Sequence, residues 1–120
     1  MGYSLDEEWP LQPVVETRSF IAAAAGCLTE TERFDAISLI AGHPECGDLI
    51  IGGGGLRKVR FAIGGKGKRG GTRIIYYYHN RTVPIFLLTA FAKNERSDLT
   101  RQELQQLAEA AKQLGRFYGA

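Results

Sequence analysis

Residues 56–91, LRKVRFAIGGKGKRGGTRIIYYYHNRTVPIFLLTAF, decide the fold. In residues 56–63 alternation puts Arg57, Val59, Phe61 and Ile63 on one face of a strand and Lys58 and Arg60 on the other. Residues 64–71 (GGKGKRGG) form a glycine-rich, cationic connection carrying Lys66, Lys68 and Arg69. Residues 72–79 (TRIIYYYH) are rich in β-branched and aromatic side chains and predict a second strand, turned by Asn80, Arg81 and Thr82. Residues 83–91 (VPIFLLTAF) are apolar on both faces, which predicts a central buried strand that tolerates Pro84 only near its start. Three consecutive strands with short links make an antiparallel meander.

Upstream, Val14 and Val15 start a short strand, and the alanine-rich residues 16–28 favour helix. Thr29 with Glu32 three residues on fits a capping box for a second helix, whose expected apolar side is Phe34, Ile37, Leu39, Ile40 and Ala41. Gly42, Pro44 and Gly47 end it, so the two helices form a hairpin. Downstream, Leu104, Leu107, Ala108, Ala111 and Leu114 mark a final amphipathic helix, with a second capping box at Thr100 and Glu103. The order βααβββα predicts an α+β domain, a small antiparallel sheet with helices packed on one face. Residues 1–12 read as a flexible acidic leader and 13–120 as a single domain.

Charge is distributed unevenly along the chain. Residues 1–48 hold 9 acids and 2 bases; residues 49–94 hold 9 bases and no acid; residues 95–120 hold 4 of each. The central block makes a field that attracts polyanions. No run of about 18 apolar residues is present to span a membrane, and the acidic start is not a signal peptide. Cys27, Cys46, His43 and His79 lack a zinc spacing and read as side chains of a reduced, cytoplasmic protein with no metal and no cofactor. Gly65, Gly67 and Gly70 match a dinucleotide fingerprint by letter, but a strand follows where that motif needs a helix.

The residue types constrain the chemistry further. No Ser/His/Asp set has a recognisable spacing, and His79 stands alone at a strand end. The basic block holds no carboxylate pair of the kind that magnesium requires. Phosphodiester cleavage here would rest on cations that hold the phosphate and offset growing charge. RNA carries its own nucleophile, the 2′-hydroxyl. The tyrosines at 76, 77 and 78, at least one of them facing outward, offer a surface for stacking an unpaired base.

Four ordered motifs carry a family resemblance. They are Gly47-Asp48-Leu49-Ile50, Gly53–Arg60 (GGGLRKVR), Gly70–Tyr77 (GGTRIIYY) and Leu88–Glu95 (LTAFAKNE). Together they resemble the RelE/HigB toxin family, its HigB branch in particular, over about residues 14–114. The resemblance implies a toxin of a type II toxin–antitoxin pair that enters the ribosomal A site and cuts mRNA there without metal. Attack by the 2′-hydroxyl leaves a cyclic phosphate or 3′-phosphate and a 5′-hydroxyl. By resemblance, Arg60, Arg73 and Lys93 contact the scissile phosphate, and Lys58, Lys66, Lys68, Arg69 and Asn94 bind flanking RNA. Two positions depart from the RelE pattern: Asn94 stands where it has an arginine and Thr100 where it has a tyrosine. The implied partners are mRNA, the ribosome and a helix-turn-helix antitoxin, with operator DNA reached only through the antitoxin. Two alternatives stand beside this reading, a ParE-like toxin directed at gyrase and a non-catalytic corepressor that only binds its antitoxin.

Overall fold

The computed structural model describes residues 11–61 and 71–119. Its elements are β1 (Val14–Glu16), α1 (Arg18–Ala25), α2 (Glu30–Gly42), β2 (Asp48–Leu49), β3 (Leu56–Phe61), β4 (Thr72–Tyr77), β5 (Ile85–Ala92) and α3 (Arg101–Phe117). The strands form one sheet in the order β1-β5-β4-β3-β2. The expected meander is present: β3, β4 and β5 pair antiparallel in succession. The α+β class holds, and the sheet is mixed because β1 runs parallel to β5. The two-residue β2, antiparallel to β3, is an element the alternation of side chains is too short to reveal.

The helices do not share one face, as the sequence reading expected. Phe20 and Ala24 of α1 and Ala36 and Ile40 of α2 pack with Val59, Ile74, Tyr76, Ile85 and Leu87. Leu104, Leu107, Ala108, Ala111 and Leu114 of α3 pack with Leu56, Ile75, Tyr77, Phe86, Leu88 and Phe91 on the opposite face. The reason is the composition of β4 and β5. Both are apolar on both sides, and each face needs a cover to leave water; a fully buried Leu, Ile or Phe contributes roughly 1.5–3 kcal/mol.

Local signals explain the helix boundaries. Both capping boxes form: Thr29 with Glu32 at α2, and Thr100 with Glu103 at α3. The first helix starts two residues later than expected, because Glu16 is still paired in β1 and the Thr17 hydroxyl caps α1 by accepting from Phe20 N. The expected apolar side of α2 is rotated: Phe34 is 68% exposed and Leu39 is 38% exposed, while the small residues Ala36 and Ala41 face inward with Ile40. Gln12, expected at the end of the leader, is buried and donates from Nε2 to the carbonyls of Asn80 and Val83.

One irregularity in β5 matters for the site. Ile75 pairs with Thr89 and Tyr76 with Leu87, so Leu88 is an extra residue. A regular strand would send Phe86 and Phe91 to opposite faces. The bulge returns Phe91 to the α3 face, where it packs with Phe86 and Leu88.

Candidate functional site

Beyond the start of α3, the α3 face of the sheet carries a row of residues from three strands. Leu56, Ile75 and Tyr77 face α3, so alternation puts Lys58 and Arg60 of β3, and Arg73 of β4, on the same side. Arg60 and Arg73 are direct cross-strand partners, and Arg73 is in turn paired with Phe91. Lys93, two residues past Phe91, is held at this end by its backbone N–H, which donates to Gly71 O at 3.1 Å. Arg60 is exposed, and Lys58, Arg73 and Lys93 are half-buried. Cations placed opposite one another in a sheet destabilise it by about 0.2–1 kcal/mol. Such an arrangement suits an anion that lies across the pair.

The segment after β5 folds back over this row and walls it. The guanidinium of Arg96 lies 4.9 Å from the centre of the Phe91 ring and forms an ion pair with Glu103 at 3.0 Å. Asp98 takes both hydrogen bonds of the Lys58 ammonium, 3.2 Å to Oδ1 and 3.1 Å to Oδ2. Partial burial alone would raise the Asp98 carboxyl. The Leu99 N–H, the Lys58 ammonium and the charge of Lys93 outweigh it and hold the group below the usual aspartate value. Lys58 is therefore fixed by a carboxylate rather than swinging in solvent. Glu103 is likewise held low, first by the Thr100 N–H and then by Arg96.

Among the predicted residues, Lys58, Arg60, Arg73 and Lys93 thus converge on one end of one face. Asn94 sits exposed in the turn after β5. Lys66, Lys68 and Arg69 lie outside the described residues. The sequence reading passed over Arg96 and Asp98, which fall just after the acid-free block. Their signal would have been an Arg and an Asp between a basic motif and a helix cap, a pattern common to ordinary loops.

The outward-facing tyrosine expected near the cations is absent. Tyr76 and Tyr77 are buried and Tyr78 is half-buried against the core. Tyr76 is structural: its hydroxyl donates to Pro44 O at 2.7 Å and accepts from Gly47 N at 2.9 Å. Burial pushes that phenol well above its ordinary value, against the opposing effect of the Gly47 N–H. A side chain at Gly47 would come within 2.9 Å of the Tyr76 ring, so only glycine fits. His79 is exposed, with Nδ1 3.3 Å from the Tyr77 hydroxyl, in keeping with a hydrogen-bonded surface histidine. Cys27 and Cys46 are free thiols, and burial raises that of Cys27.

Among the described residues no three His, Cys, Asp or Glu side chains gather closely enough to hold a metal ion. No helix among them is long and apolar enough to cross a membrane. The chain was also compared with known families: a family model described as RelE toxin of RelE / RelB toxin-antitoxin system matches residues 14–119.

Proposed function

The chain belongs to the RelE toxin family of RelE/RelB toxin–antitoxin systems, and on that premise we propose that it is a ribosome-dependent endoribonuclease that cuts mRNA without a metal ion. A toxin of this family implies an antitoxin partner. The ordered motifs from Gly47 to Glu95 favour the HigB branch within it. The observation that carries the nuclease reading is the register pair Arg60–Arg73, two cations facing each other beside Lys93 on an open end of the sheet.

In the proposed reaction the ribose 2′-oxygen attacks the adjacent phosphorus and the bond to the 5′-oxygen breaks. The 2′-hydroxyl proton leaves and the departing 5′-oxygen gains one, giving a 2′,3′-cyclic phosphate and a 5′-hydroxyl. Arg60 and Arg73 bind the non-bridging oxygens, where charge grows in the transition state. Lys93 flanks the same phosphate. Lys58, oriented by Asp98, holds the neighbouring linkage, and Asn94, Lys66, Lys68 and Arg69 contact RNA further out. The ribosome's part is to present the messenger in a bent, in-line geometry, a positioning effect that supplies much of the rate.

Primer extension on mRNA in a translating extract tests the reading. Discrete cuts in frame with the codons are expected with the wild-type chain and are expected to vanish with Arg73→Ala. Growth arrest that persists unchanged in Arg73→Ala would remove the assignment and favour a non-catalytic or gyrase-directed toxin.

A further inference from the structure

A second groove on the α3 face lies apart from the Arg60–Arg73 end. It encloses about 540 Å³ between α3 and the turn that joins β2 to β3, and is lined by Gly52, Gly54, His79, Glu109, Lys112 and Arg116, with Tyr77 at its base. His79 is exposed, and its ring lies nearly parallel to that of Tyr77, 6.3 Å between centres and 24° between planes. Tyr77 stacks in turn on Phe86 at 6.5 Å and 21°. His79 is thus the solvent-facing end of an aromatic stack rooted in the core, and its contact with the Tyr77 hydroxyl fixes the ring.

Across the groove Lys112 and Arg116 project from one stripe of α3, both exposed and in no ion pair among the described residues. Among the described residues Glu109 is the one carboxylate lining the groove, and it accepts from Gln113 Nε2 at 3.2 Å. The opposite wall is backbone. Gly52 and Gly54 have φ of 77° and 62°, and nothing lies within 4 Å of a Cβ built at Gly52, so a ligand can approach the chain itself.

We propose that this groove is a nucleotide subsite, in which one RNA base stacks on His79 while its two adjoining phosphates are held one each by Lys112 and Arg116. A flat ring opposite paired cations, beside bare glycine backbone, is the chemistry that holds single-stranded RNA. From the preceding function the inference takes only the identity of the ligand as RNA. Arg73 and Tyr77 point to the same face of β4, four residues or about 13 Å apart. One strand can therefore run from the groove to the Arg60–Arg73 pair. A cavity of about 380 Å³, lined by Ile51, Lys58, Asp98 and Leu104, occupies the interval. It adjoins the groove through the neighbours Ile51–Gly52 and Leu104–Gln105.

The test is the affinity of wild-type and variant chains for a fluorescent single-stranded RNA built entirely of 2′-O-methyl nucleotides, which the 2′-oxygen cannot cut. K112Q/R116Q removes two phosphate contacts at about 0.7 each in the slope of log affinity against log salt. The slope should fall by about 1.4, and affinity by roughly 25-fold at about 0.1 M salt. His79→Ala should weaken binding at least roughly fivefold, and Gln105→Lys, which adds a cation to the same exposed stripe, should tighten it. The same variants are measured on purified small ribosomal subunits. A loss confined to the oligonucleotide identifies messenger as the ligand, and a loss confined to the subunit identifies ribosomal RNA. Wild-type affinity in both K112Q/R116Q and His79→Ala on both ligands overturns the proposal, as does a wild-type chain that binds neither. Cleavage is scored separately: a chain that binds through this groove but never cuts messenger defeats the nuclease reading alone, and a chain that cuts while these variants bind normally defeats the subsite alone.

Discussion

Arg60→Ala should lower activity without lowering stability, a combination that a structural residue cannot produce. Arg60 is exposed and stands directly across from Arg73 in the β3–β4 register. Opposite side chains in such a pair have Cβ atoms about 4.5–5.5 Å apart, and like charges there destabilise the sheet by about 0.2–1 kcal/mol. Truncating Arg60 relieves that repulsion and sacrifices little buried surface. Stability should stay level or rise by up to about 1 kcal/mol, which corresponds to a melting temperature up to roughly 4 °C higher for a chain of this size. Cleavage should move the other way. Removing one preorganised charge-stabilising group from a transition state costs about 2.7–4 kcal/mol, or roughly 10²–10³ in rate. Arg60→Ala combined with Arg73→Ala should lose much less than the product of the single losses, because both act on one phosphate. Single-turnover cleavage on programmed ribosomes measures the first effect and thermal unfolding the second. An Arg60→Ala chain that melts lower and cuts at the wild-type rate would refute the assignment.

Three other outcomes are expected. Asp98→Asn should abolish the Lys58 ion pair; because the folded-state value of Asp98 is depressed, its contribution is present above the unfolded aspartate value near about 3.9 and is lost as pH falls through the lower folded value. The variant should therefore show a flatter thermal stability than wild type below about pH 4, with less than about 1 kcal/mol lost at neutral pH because the pair is half-exposed. Tyr76→Phe leaves a part-buried carbonyl at Pro44 and a buried N–H at Gly47 without their Tyr76 partner, and urea unfolding should show a loss of about 2–3 kcal/mol. Cleaved messenger should carry 5′-hydroxyl ends, labelled by polynucleotide kinase without prior phosphatase, and a 2′-deoxy substitution at the cut nucleotide should stop cleavage; 5′-phosphate ends would contradict attack by the 2′-oxygen.

The parts of this fold that were legible in the sequence are those governed by local chemistry. Thr29 with Glu32 and Thr100 with Glu103 marked two helix starts because a capping box closes within four residues. The meander was readable from the β-branched and aromatic runs around residues 72–91. What escaped was set by tertiary context. A residue on a two-sided sheet gives no sign of which helix will cover it, so α3 and the α1–α2 hairpin were expected on one face. The orientation of α2 differs from the expectation because the small residues Ala36 and Ala41 face inward with Ile40, while Phe34 faces out. Within the site, Lys58, Arg60 and Arg73 could be put on the sheet by alternation, but their closeness to Lys93 depends on the extra residue Leu88 in β5. A bulge of that kind has no glycine or proline to announce it here.

The location of the cationic row follows from how the two sheet faces are covered. β4 and β5 are apolar on both sides, so any exposed charge on them must lie past the end of a covering helix. On one face α1 and α2 leave little of the central strands uncovered, since Ile74, Tyr76, Ile85 and Leu87 are all buried with them. On the other face the first turn of α3 is fixed by Thr100 and Glu103, while Asp98 and Arg96, immediately before it, reach back to Lys58 and Phe91. The capping box therefore does more than start a helix. It sets how far α3 extends over the sheet, and so leaves the Arg60–Arg73–Phe91 row at the helix's open end, bordered by a segment whose side chains already contact it. A chain that lost this helix start would be expected to lose the geometry of Lys58 and Arg96 along with it, while the opposite face, which shares none of these contacts, stayed as it is.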